Sequence, residues 1–226
     1  MSKKAVQCIG IILDGNRRWA KEKGLPTLEG HRRGFENLKS AARWVRDRHI
    51  PHLVVFAFST ENWSRSKDEV AYLMDIFREA IRDSADELGK EGVRVRFIGQ
   101  RERFDDDIQK GMVHAEEKTQ GNTHLTLWIC LSYGARAEIA AAAEAARIAG
   151  EPISEESLRA HFWSAEMPDP DIIIRTGGAQ RLSNFLLWQA AYSELFFIEP
   201  HWPDFDEKTL DGVLVEYAER ERRMGK

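Results

Sequence analysis

The chain has little of what marks secreted, membrane-spanning or nucleic-acid-binding proteins. Its two cysteines, Cys8 and Cys130, are too few for a disulfide framework or a zinc site, and both lie in apolar runs. No run approaches the roughly 18 apolar residues of a membrane span, and no secretory signal precedes the first motif. The 37 acidic residues outnumber the 33 basic ones, which argues against a nucleic-acid partner. These absences predict a soluble, cytoplasmic protein that binds no nucleic acid.

Familiar catalytic motifs are absent as well. The sequence contains no P-loop, no H-E-x-x-H zinc motif and no G-x-S-x-G nucleophile elbow. The acidic run Asp105–Asp107 lacks the spacing of an aspartate-rich metal motif, and the solvated start of a helix explains it better. A catalytic site must therefore be sought in the places where polar residues fall within the fold.

The chain does have enough apolar residues for a large core, since 42% of it is hydrophobic and 10% aromatic. Short apolar runs alternate along it with stretches of helical periodicity. We predict strands at 5–13, 53–58, 93–98, 124–131, 171–174 and 195–197, and helices at 30–48, 66–88, 105–118, 136–148, 154–162 and 205–223. Without repeats or linkers, this alternation predicts one α/β domain over residues 1–226, with a central, mostly parallel sheet flanked by helices.

Unusual polar residues cluster where four of the predicted strands end. They occupy the segments 14–19, 59–65, 132–136 and 175–184. Ligands of open α/β sheets bind beyond the carboxyl ends of the strands, so these segments should share one rim. That rim would bring five arginines close to Asp14, namely Arg17, Arg18, Arg65, Arg175 and Arg181.

Such a rim is suited to an anion. Clustered guanidinium groups repel one another unless an anion lies among them, and their geometry suits phosphate. Gly15 would let backbone N–H groups approach that anion, and Asp14 beside phosphate is the best candidate for a Mg²⁺ ligand. Taken singly, Asp14-Gly15 is an ordinary turn and each arginine a surface charge. Their joint placement favours an anion site.

These segments together resemble those of the cis-prenyltransferases, most of all the bacterial members that make undecaprenyl diphosphate. The resemblance extends from about residue 9 to residue 225. It rests on Asp14–Ala20, Gly30-His31, Phe58–Trp63, Arg175–Phe197, Trp202–Phe205 and Arg220–Arg223. It implies a homodimer with a hydrophobic tunnel. It also implies Mg²⁺-dependent condensation of isopentenyl diphosphate with an allylic prenyl diphosphate, such as farnesyl diphosphate, giving a Z-polyprenyl diphosphate that serves bacteria as a cell-wall lipid carrier.

The resemblance also implies roles for individual residues. Asp14 and Glu194 would bind Mg²⁺. Catalysis would involve Asp14, His31, Ser59 and Asn62. The allylic diphosphate would be held by Gly15, Asn16, Arg17, Arg18 and His31, and isopentenyl diphosphate by Arg175, Arg181 and Ser183. Further substrate contacts would come from Trp19, Thr60, Glu61, Trp63, Arg65 and Leu182, with Trp63 and Arg65 ordering a loop that closes over substrate.

A growing apolar product also requires an apolar channel. Its candidate lining is Leu73, Met74, Ile76 and Phe77 on the predicted helix and Ala57, Leu127 and Ile129 on strands, although ordinary core packing explains any one of them equally well. Compared with the family, Cys130 and Leu131 replace smaller residues, which would shorten the tunnel. Thr27 stands where an arginine is common, and Ser132 and Ala135 alter a further motif.

Two further implications of the resemblance concern surfaces. Arg223-Met224-Gly225 resembles a C-terminal segment that reaches the active site of the partner subunit. A long apolar product implies peripheral contact with a membrane when it is released. Both are expectations carried by the family likeness.

Other functions stay open at this point. One is an enzyme of the same family that makes short or branched, head-to-middle prenyl diphosphates. Another is a non-catalytic subunit that activates a partner, but such subunits lose the acidic and basic residues that remain here as Asp14, Arg18, Arg175 and Arg181. A general phosphate-binding module would not explain the apolar helix.

Overall fold

Six parallel strands form the centre of the molecule. The computed structural model describes residues 5–220, and for residues 83–85 it describes the backbone only. The strands are β1 (Cys8–Ile12), β2 (His52–Ser59), β3 (Val93–Ile98), β4 (Leu125–Tyr133), β5 (Ile172–Arg175) and β6 (Glu194–Phe197). They form one sheet in the order β3-β4-β2-β1-β5-β6, and every pairing is parallel. The predicted α/β fold with a central parallel sheet is confirmed.

Helices cover both faces of this sheet. They are α1 (Asn16–Glu22), α2 (Thr27–Asp47), α3 (Lys67–Glu79), α4 (Ala85–Lys90), α5 (Asp106–Thr119), α6 (Ala135–Ala149), α7 (Glu155–His161) and α8 (Glu207–Glu219). One π-helical turn, Ala80–Ser84, joins α3 to α4, and short 3₁₀ turns occupy Thr60–Ser64, Arg101–Arg103 and Trp202–Asp204. Within residues 5–220 no helix is both long and apolar enough to cross a membrane.

Burial on both faces explains why the central strands read as continuous apolar runs. On one face, Ile11 and Val55 pack in a cluster with Leu38 of α2 and Leu210 of α8. On the other face, Val54 and its neighbours pack against the segment that follows β5, including Phe185. A third cluster joins β3 and the end of β4 to α3 and α5.

Most differences from the predicted elements lie at their ends. Helix α1 is an unpredicted element, because its seven residues show no apolar periodicity and follow a turn signal. Helix α3 begins where Ser66 accepts a hydrogen bond from the Glu69 backbone N–H. The predicted C-terminal helix ends at Glu219, and Arg223-Met224-Gly225 lies outside the described residues.

Strand β4 corrects one prediction about the tunnel. Side chains alternate between the two faces of a strand. Leu131 therefore packs with α3 and α5, whereas Cys130 lies on the opposite face with Trp128 and Ile173. Of the two substitutions expected to shorten the tunnel, only Leu131 lies on the tunnel side.

Two glycines of α2 allow α1 to lie against it. A Cβ atom at Gly30 would lie 2.0 Å from the main-chain oxygen of Asn16, and one at Gly34 would lie 2.4 Å from the side-chain oxygen of the same residue. The close approach fixes the position of α1 and of the Asp14-Gly15 turn before it. Packing of α1 on α2 thus positions polar residues at the carboxyl end of the sheet.

Replacing Gly30 with alanine should lower the free energy of unfolding by about 1–3 kcal/mol, because the added methyl group overlaps the Asn16 carbonyl. Gly212→Ala is the matched control. Gly212 lies in α8, where an added Cβ would meet no atom within 4 Å, so there alanine should stabilise by about 0.5–1 kcal/mol. Denaturant unfolding measures both variants. A Gly30→Ala protein as stable as the wild type would contradict this tight contact.

Candidate active site

An open cleft lies beyond the carboxyl ends of β1, β2 and β5. It has two lobes with volumes of about 530 and 540 Å³. Both lobes are lined by Leu13, Asp14, Asn16, His31 and Arg65. What we term the α1 lobe is completed by Gly15, Arg17, Arg18, Lys21, Leu25 and Thr27. The sheet-end lobe is completed chiefly by Ser59, Glu61, Asn62, Arg136, Arg175, Ser183 and Asn184.

Asp14 lies at the junction of the lobes and pairs with two arginines. Its Oδ2 lies 2.8 Å from Nη2 of Arg175, and its Oδ1 lies 3.2 Å from Arg18. Only 4% of the Arg175 side chain is exposed, against 28% for Asp14. Burial by itself would raise the pKa of Asp14, but the hydrogen bond and charge of Arg175, with those of Arg18, hold that pKa below its usual value. Asp14 is therefore ionised at neutral pH.

Hydrogen bonds to the main chain hold Asp14 in place. The Thr176 hydroxyl accepts from the Asp14 N–H at 3.0 Å and donates to the Asp14 carbonyl at 2.6 Å. The same carbonyl accepts the Trp202 N–H. Gly15 follows with a φ of 108°, and a Cβ there would lie 2.5 Å from Nδ1 of His201. Only glycine fits this turn, which directs Arg17 and Arg18 into the α1 lobe.

Glu69 joins three basic side chains on the other side of the cleft. Its carboxylate lies 3.3 Å from Nε2 of His31, 3.0 Å from Arg65 and 3.6 Å from Arg17. Burial, with the nearby charge of Arg65, lowers the pKa of His31 despite the opposing effect of Glu69. His31 is therefore neutral at pH 7, and the Glu69 carboxylate pairs with two of the three arginines that line the α1 lobe, Arg17 and Arg65.

Two small apolar cavities of about 60 Å³ each extend the cleft into the protein. The first shares Leu13, His31 and Leu73 with the sheet-end lobe. The second shares Phe35 and Phe77 with the first and continues to Leu131. Of the predicted tunnel lining, these cavities include Ala57, Leu73, Ile76, Phe77, Leu127 and Ile129, while Met74 is buried beside them. Two apolar cavities thus lie behind the polar cleft, between α2, α3 and the sheet, and we term them together the channel.

The cleft contains most of the predicted site. The residues it brings together are Asp14, Gly15, Asn16, Arg17, Arg18, His31, Ser59, Glu61, Asn62, Arg65, Arg175 and Ser183. Ser59 and Asn62 line the cleft from the Thr60–Ser64 turn, where they form a reciprocal capping box. In it the Ser59 N–H donates to the Asn62 side chain at 3.1 Å.

Several residues at the site are absent from the sequence prediction. Lys21, Arg136 and Asn184 line the cleft, and Lys21 supplies a further cation to the α1 lobe, which Thr27 also lines. From the sequence, Glu69 is recognised only as the last residue of the capping box that begins at Ser66. Its spacing of four residues from Arg65, which immediately precedes the N-cap of α3, is the signal that could have found it.

Five predicted substrate contacts do not line either lobe. The Trp19 indole donates to Asp204 at 2.8 Å, and the Trp63 indole donates to the Ser132 hydroxyl at 2.9 Å. The Thr60 hydroxyl donates to Glu61 at 3.1 Å. Arg181 presents its carbonyl to Arg175 and leaves its side chain exposed, and Leu182 packs against the core. These residues support the loops around the cleft.

Glu194 is a further correction. It is the first residue of β6 and pairs with Ile172, the first residue of β5, so it lies at the amino edge of the sheet. Its carboxylate accepts from Arg220 at 2.9 Å. The length of β5 separates that edge from Arg175 by about 10 Å. Within one chain Glu194 therefore cannot ligate the same ion as Asp14.

Comparisons with known proteins agree with this geometry. A family model described as putative undecaprenyl diphosphate synthase matches residues 12–225. Isoprenyl transferase 2 of Bradyrhizobium diazoefficiens is 49% identical over 224 residues, covering 96% of this chain and 89% of that protein.

Two solved structures are similar over almost the whole chain. Lavandulyl diphosphate synthase from Lavandula x intermedia, in complex with dimethylallyl diphosphate, gives a TM-score of 0.93 at 33% identity, covering 98% of both chains. A probable undecaprenyl diphosphate synthase from Campylobacter jejuni gives 0.85 at 31% identity, covering 99% of this chain and all of that one.

The Asp14 ion pairs predict a pH-dependent effect of Asp14→Asn on stability. A carboxyl whose folded pKa is depressed stabilises the protein above its unfolded pKa, and that stability is lost as the pH falls through the folded value. The substitution should cost about 1–3 kcal/mol at pH 7. The cost should stay constant down to about pH 5 and shrink below about pH 4. Denaturant unfolding between pH 7 and pH 3 measures it, and a cost that does not change with pH would contradict the pairing.

Proposed function

The chain belongs to the undecaprenyl diphosphate synthase family of prenyltransferases, and we propose that it condenses isopentenyl diphosphate with an allylic prenyl diphosphate. The product would be a Z-polyprenyl diphosphate such as undecaprenyl diphosphate, with farnesyl diphosphate as the primer. The observation that carries this proposal is an arginine-lined cleft with two lobes, backed by two apolar cavities that share lining residues with it and with each other. Two diphosphates need two neighbouring basic lobes, and a hydrocarbon chain needs the channel.

Each substrate has a lobe of matching chemistry. In the α1 lobe, Arg17, Arg18 and Lys21 present cationic groups to the allylic diphosphate. In the sheet-end lobe, Arg136, Arg175 and Ser183 present cationic and hydroxyl donors to isopentenyl diphosphate. The lobes meet at Asp14, so the reacting carbons of the two substrates would lie close together beside the mouth of the channel.

Asp14 also fits a Mg²⁺ ion. Mg²⁺ in proteins usually takes one or two carboxylates together with substrate phosphates, and Asp14 is the carboxylate at the point where both diphosphates would meet. Its Oδ1, held by Arg18 at 3.2 Å, is the more loosely paired oxygen. Glu194 of the same chain lies at the opposite edge of the sheet and is too far away to share this ion. Bound Mg²⁺ would stabilise negative charge on the leaving diphosphate.

The side chains of the cleft would perform the rest of the chemistry. Arg17 and Arg18 would stabilise the charge that builds on the allylic diphosphate as its carbon–oxygen bond breaks. Neutral His31, at the entrance to the channel, can hydrogen-bond to that diphosphate without placing a charge against the hydrocarbon. Ser59 and Asn62 would orient the isopentenyl group from the opposite side, where their turn holds them rigid.

A short-chain or head-to-middle synthase of the same family is the second candidate. Two observations favour it: the channel cavities measure only about 60 Å³ each, and the lavandulyl enzyme superimposes with a TM-score of 0.93. A non-catalytic role is disfavoured, because the acidic and basic side chains of the cleft are all present. Homodimer formation, membrane contact and a cytoplasmic location stay predictions of the resemblance.

Incubation with farnesyl diphosphate, labelled isopentenyl diphosphate and Mg²⁺ tests the proposal. We expect several successive condensations, because the channel removes the growing chain from the cleft after each addition. Chromatography of the dephosphorylated products measures their length. A single condensation, or a branched product, would contradict the elongase and favour the short-chain or head-to-middle synthase. The absence of any product would contradict the proposed function.

Asp14→Ala is the control variant for this assay. It should abolish turnover and leave the circular dichroism spectrum unchanged, because the loss of about 1–3 kcal/mol with the ion pairs is smaller than the stability of an ordinary domain. Near-normal activity in this variant would show that condensation takes place elsewhere.

The Leu131 side chain is expected to limit product length. Leu131→Ala should shift the products towards chains longer by one or more isoprene units, because it enlarges the inner cavity that this side chain lines. Some stability, about 2–5 kcal/mol, should be lost with it. Cys130→Ala is the matched control, since Cys130 lies on the other face of the same strand. Equal product lengths in the two variants would contradict a role for Leu131 in the channel.

A further inference from the structure

Asn184 lies where three loops of the sheet-end lobe meet. These loops are the Thr60–Ser64 turn, the β4–α6 connection and the segment after β5. Its backbone has a φ of 68°, a left-handed conformation that asparagine adopts more readily than most residues. The side chain is half-buried and lines the lobe. The sequence patterns indicate no role for it.

Asn184 caps helix α6 from a distant part of the chain. The N-cap of this helix is Gly134, which has no side chain to accept the first backbone N–H groups. Asn184 accepts the first two of these N–H groups instead. Its main-chain carbonyl oxygen accepts from the Ala135 N–H at 2.8 Å, and its side-chain Oδ1 accepts from the Arg136 N–H at 2.9 Å. The segment after β5 therefore fixes the first turn of α6, which presents Arg136 to the lobe.

The other end of the same amide holds the Thr60–Ser64 turn. Nδ2 of Asn184 donates to Oε1 of Glu61 at 3.0 Å. The approach is close, since a Cβ at Gly134 would lie 2.6 Å from this nitrogen and 2.7 Å from the Thr60 hydroxyl. The amide is thus oriented at both ends, with its oxygen towards an N–H and its nitrogen towards a carboxylate. None of these partners lines the α1 lobe.

We infer that Asn184 is a positioning residue that orders the three loops of the sheet-end lobe and thereby sets the affinity for the substrate bound there. This inference rests on the proposed function, in which that substrate is isopentenyl diphosphate. Asn184 would act through Arg136 and through the Thr60–Ser64 turn, which positions Ser59 and Asn62. The shape of the α1 lobe depends on α1 and Glu69 rather than on Asn184. Substitutions of Asn184 should therefore leave the affinity for the allylic diphosphate unchanged.

The side chains of Asn184 and Glu61 allow a rescue experiment. Asn184→Asp keeps the acceptor for Arg136 but sets a second carboxylate against Glu61. The KM for isopentenyl diphosphate should rise about tenfold or more, with kcat and the KM for the allylic diphosphate changed less than about threefold. In Asn184→Asp/Glu61→Gln the hydrogen bond returns with donor and acceptor exchanged, and the net charge of the wild type returns with it. This double variant should recover most of the lost affinity.

A matched control separates positioning from general stability. Asn122 is also half-buried and donates two side-chain hydrogen bonds, to Gly89 at 2.8 Å and Val93 at 2.9 Å, at the amino edge of the sheet. Asn122→Ala should lower the melting temperature without separating the two KM values. If Asn184→Asp raises both KM values equally, or if the double variant is no better than the single one, the positioning role is wrong.

Hydrogen exchange provides a readout that does not require turnover. Asn184→Gly keeps the left-handed backbone accessible and removes only the side chain. The Arg136 amide should then exchange about tenfold faster or more, while amides of α8 keep their rates. An unchanged Arg136 rate would overturn the positioning role on its own. An inactive wild type in the condensation assay would instead overturn the proposed function, so the two failures are distinguishable.

Discussion

The ion pair between Asp14 and Arg175 is the constraint on which the site depends. Arg175 ends β5 with only 4% of its side chain exposed, and Asp14 follows the adjacent strand β1. A guanidinium so deeply buried requires a carboxylate partner. The pair therefore links the ends of two neighbouring strands and places an ionised carboxylate between the lobes at neutral pH. Arg175 further donates to Ser183, which extends the same constraint to the loop after β5.

Balanced charges allow a basic cleft to exist in a protein of net charge −4. Two carboxylates beside the cleft, those of Asp14 and Glu69, pair with arginines, and a third, that of Glu61, accepts from the Asn184 amide. The guanidinium groups are thereby held in place in the ligand-free protein, so little reorganisation is required when an anion enters. The sum of charges over the whole chain gives no sign of this local excess. The local excess of positive charge follows from the topology, because the segments that follow several parallel strands all lie at the same edge of the sheet.

Much of this arrangement could be predicted, and the failures have physical reasons. Alternating strands and helices imply a parallel sheet, and parallel strands place all their carboxyl ends on one rim, so the four polar loops were expected to meet. The same rule places Glu194 on the opposite rim within one chain, because the first residue of a parallel strand lies at the amino edge of the sheet. Glu69 and Asn184 could not be assigned, since each acts through partners far away in sequence, and single-residue patterns do not reveal such partners.

The boundary between the polar cleft and the apolar channel follows from how β2 and α3 are placed. Ala57 and Leu73 line both the sheet-end lobe and the first apolar cavity. The polar lining of the cleft therefore changes to an apolar lining at these two side chains. His31 lies at that boundary, and burial lowers its pKa so that it carries no charge there. A charged imidazole would favour water at the entrance, whereas a neutral one is compatible with a polar cleft on one side and an apolar cavity on the other. Beyond that boundary, Leu127, Ile129 and Leu131 of β4 line the inner cavity, so the size of these side chains limits the space on this face of the sheet.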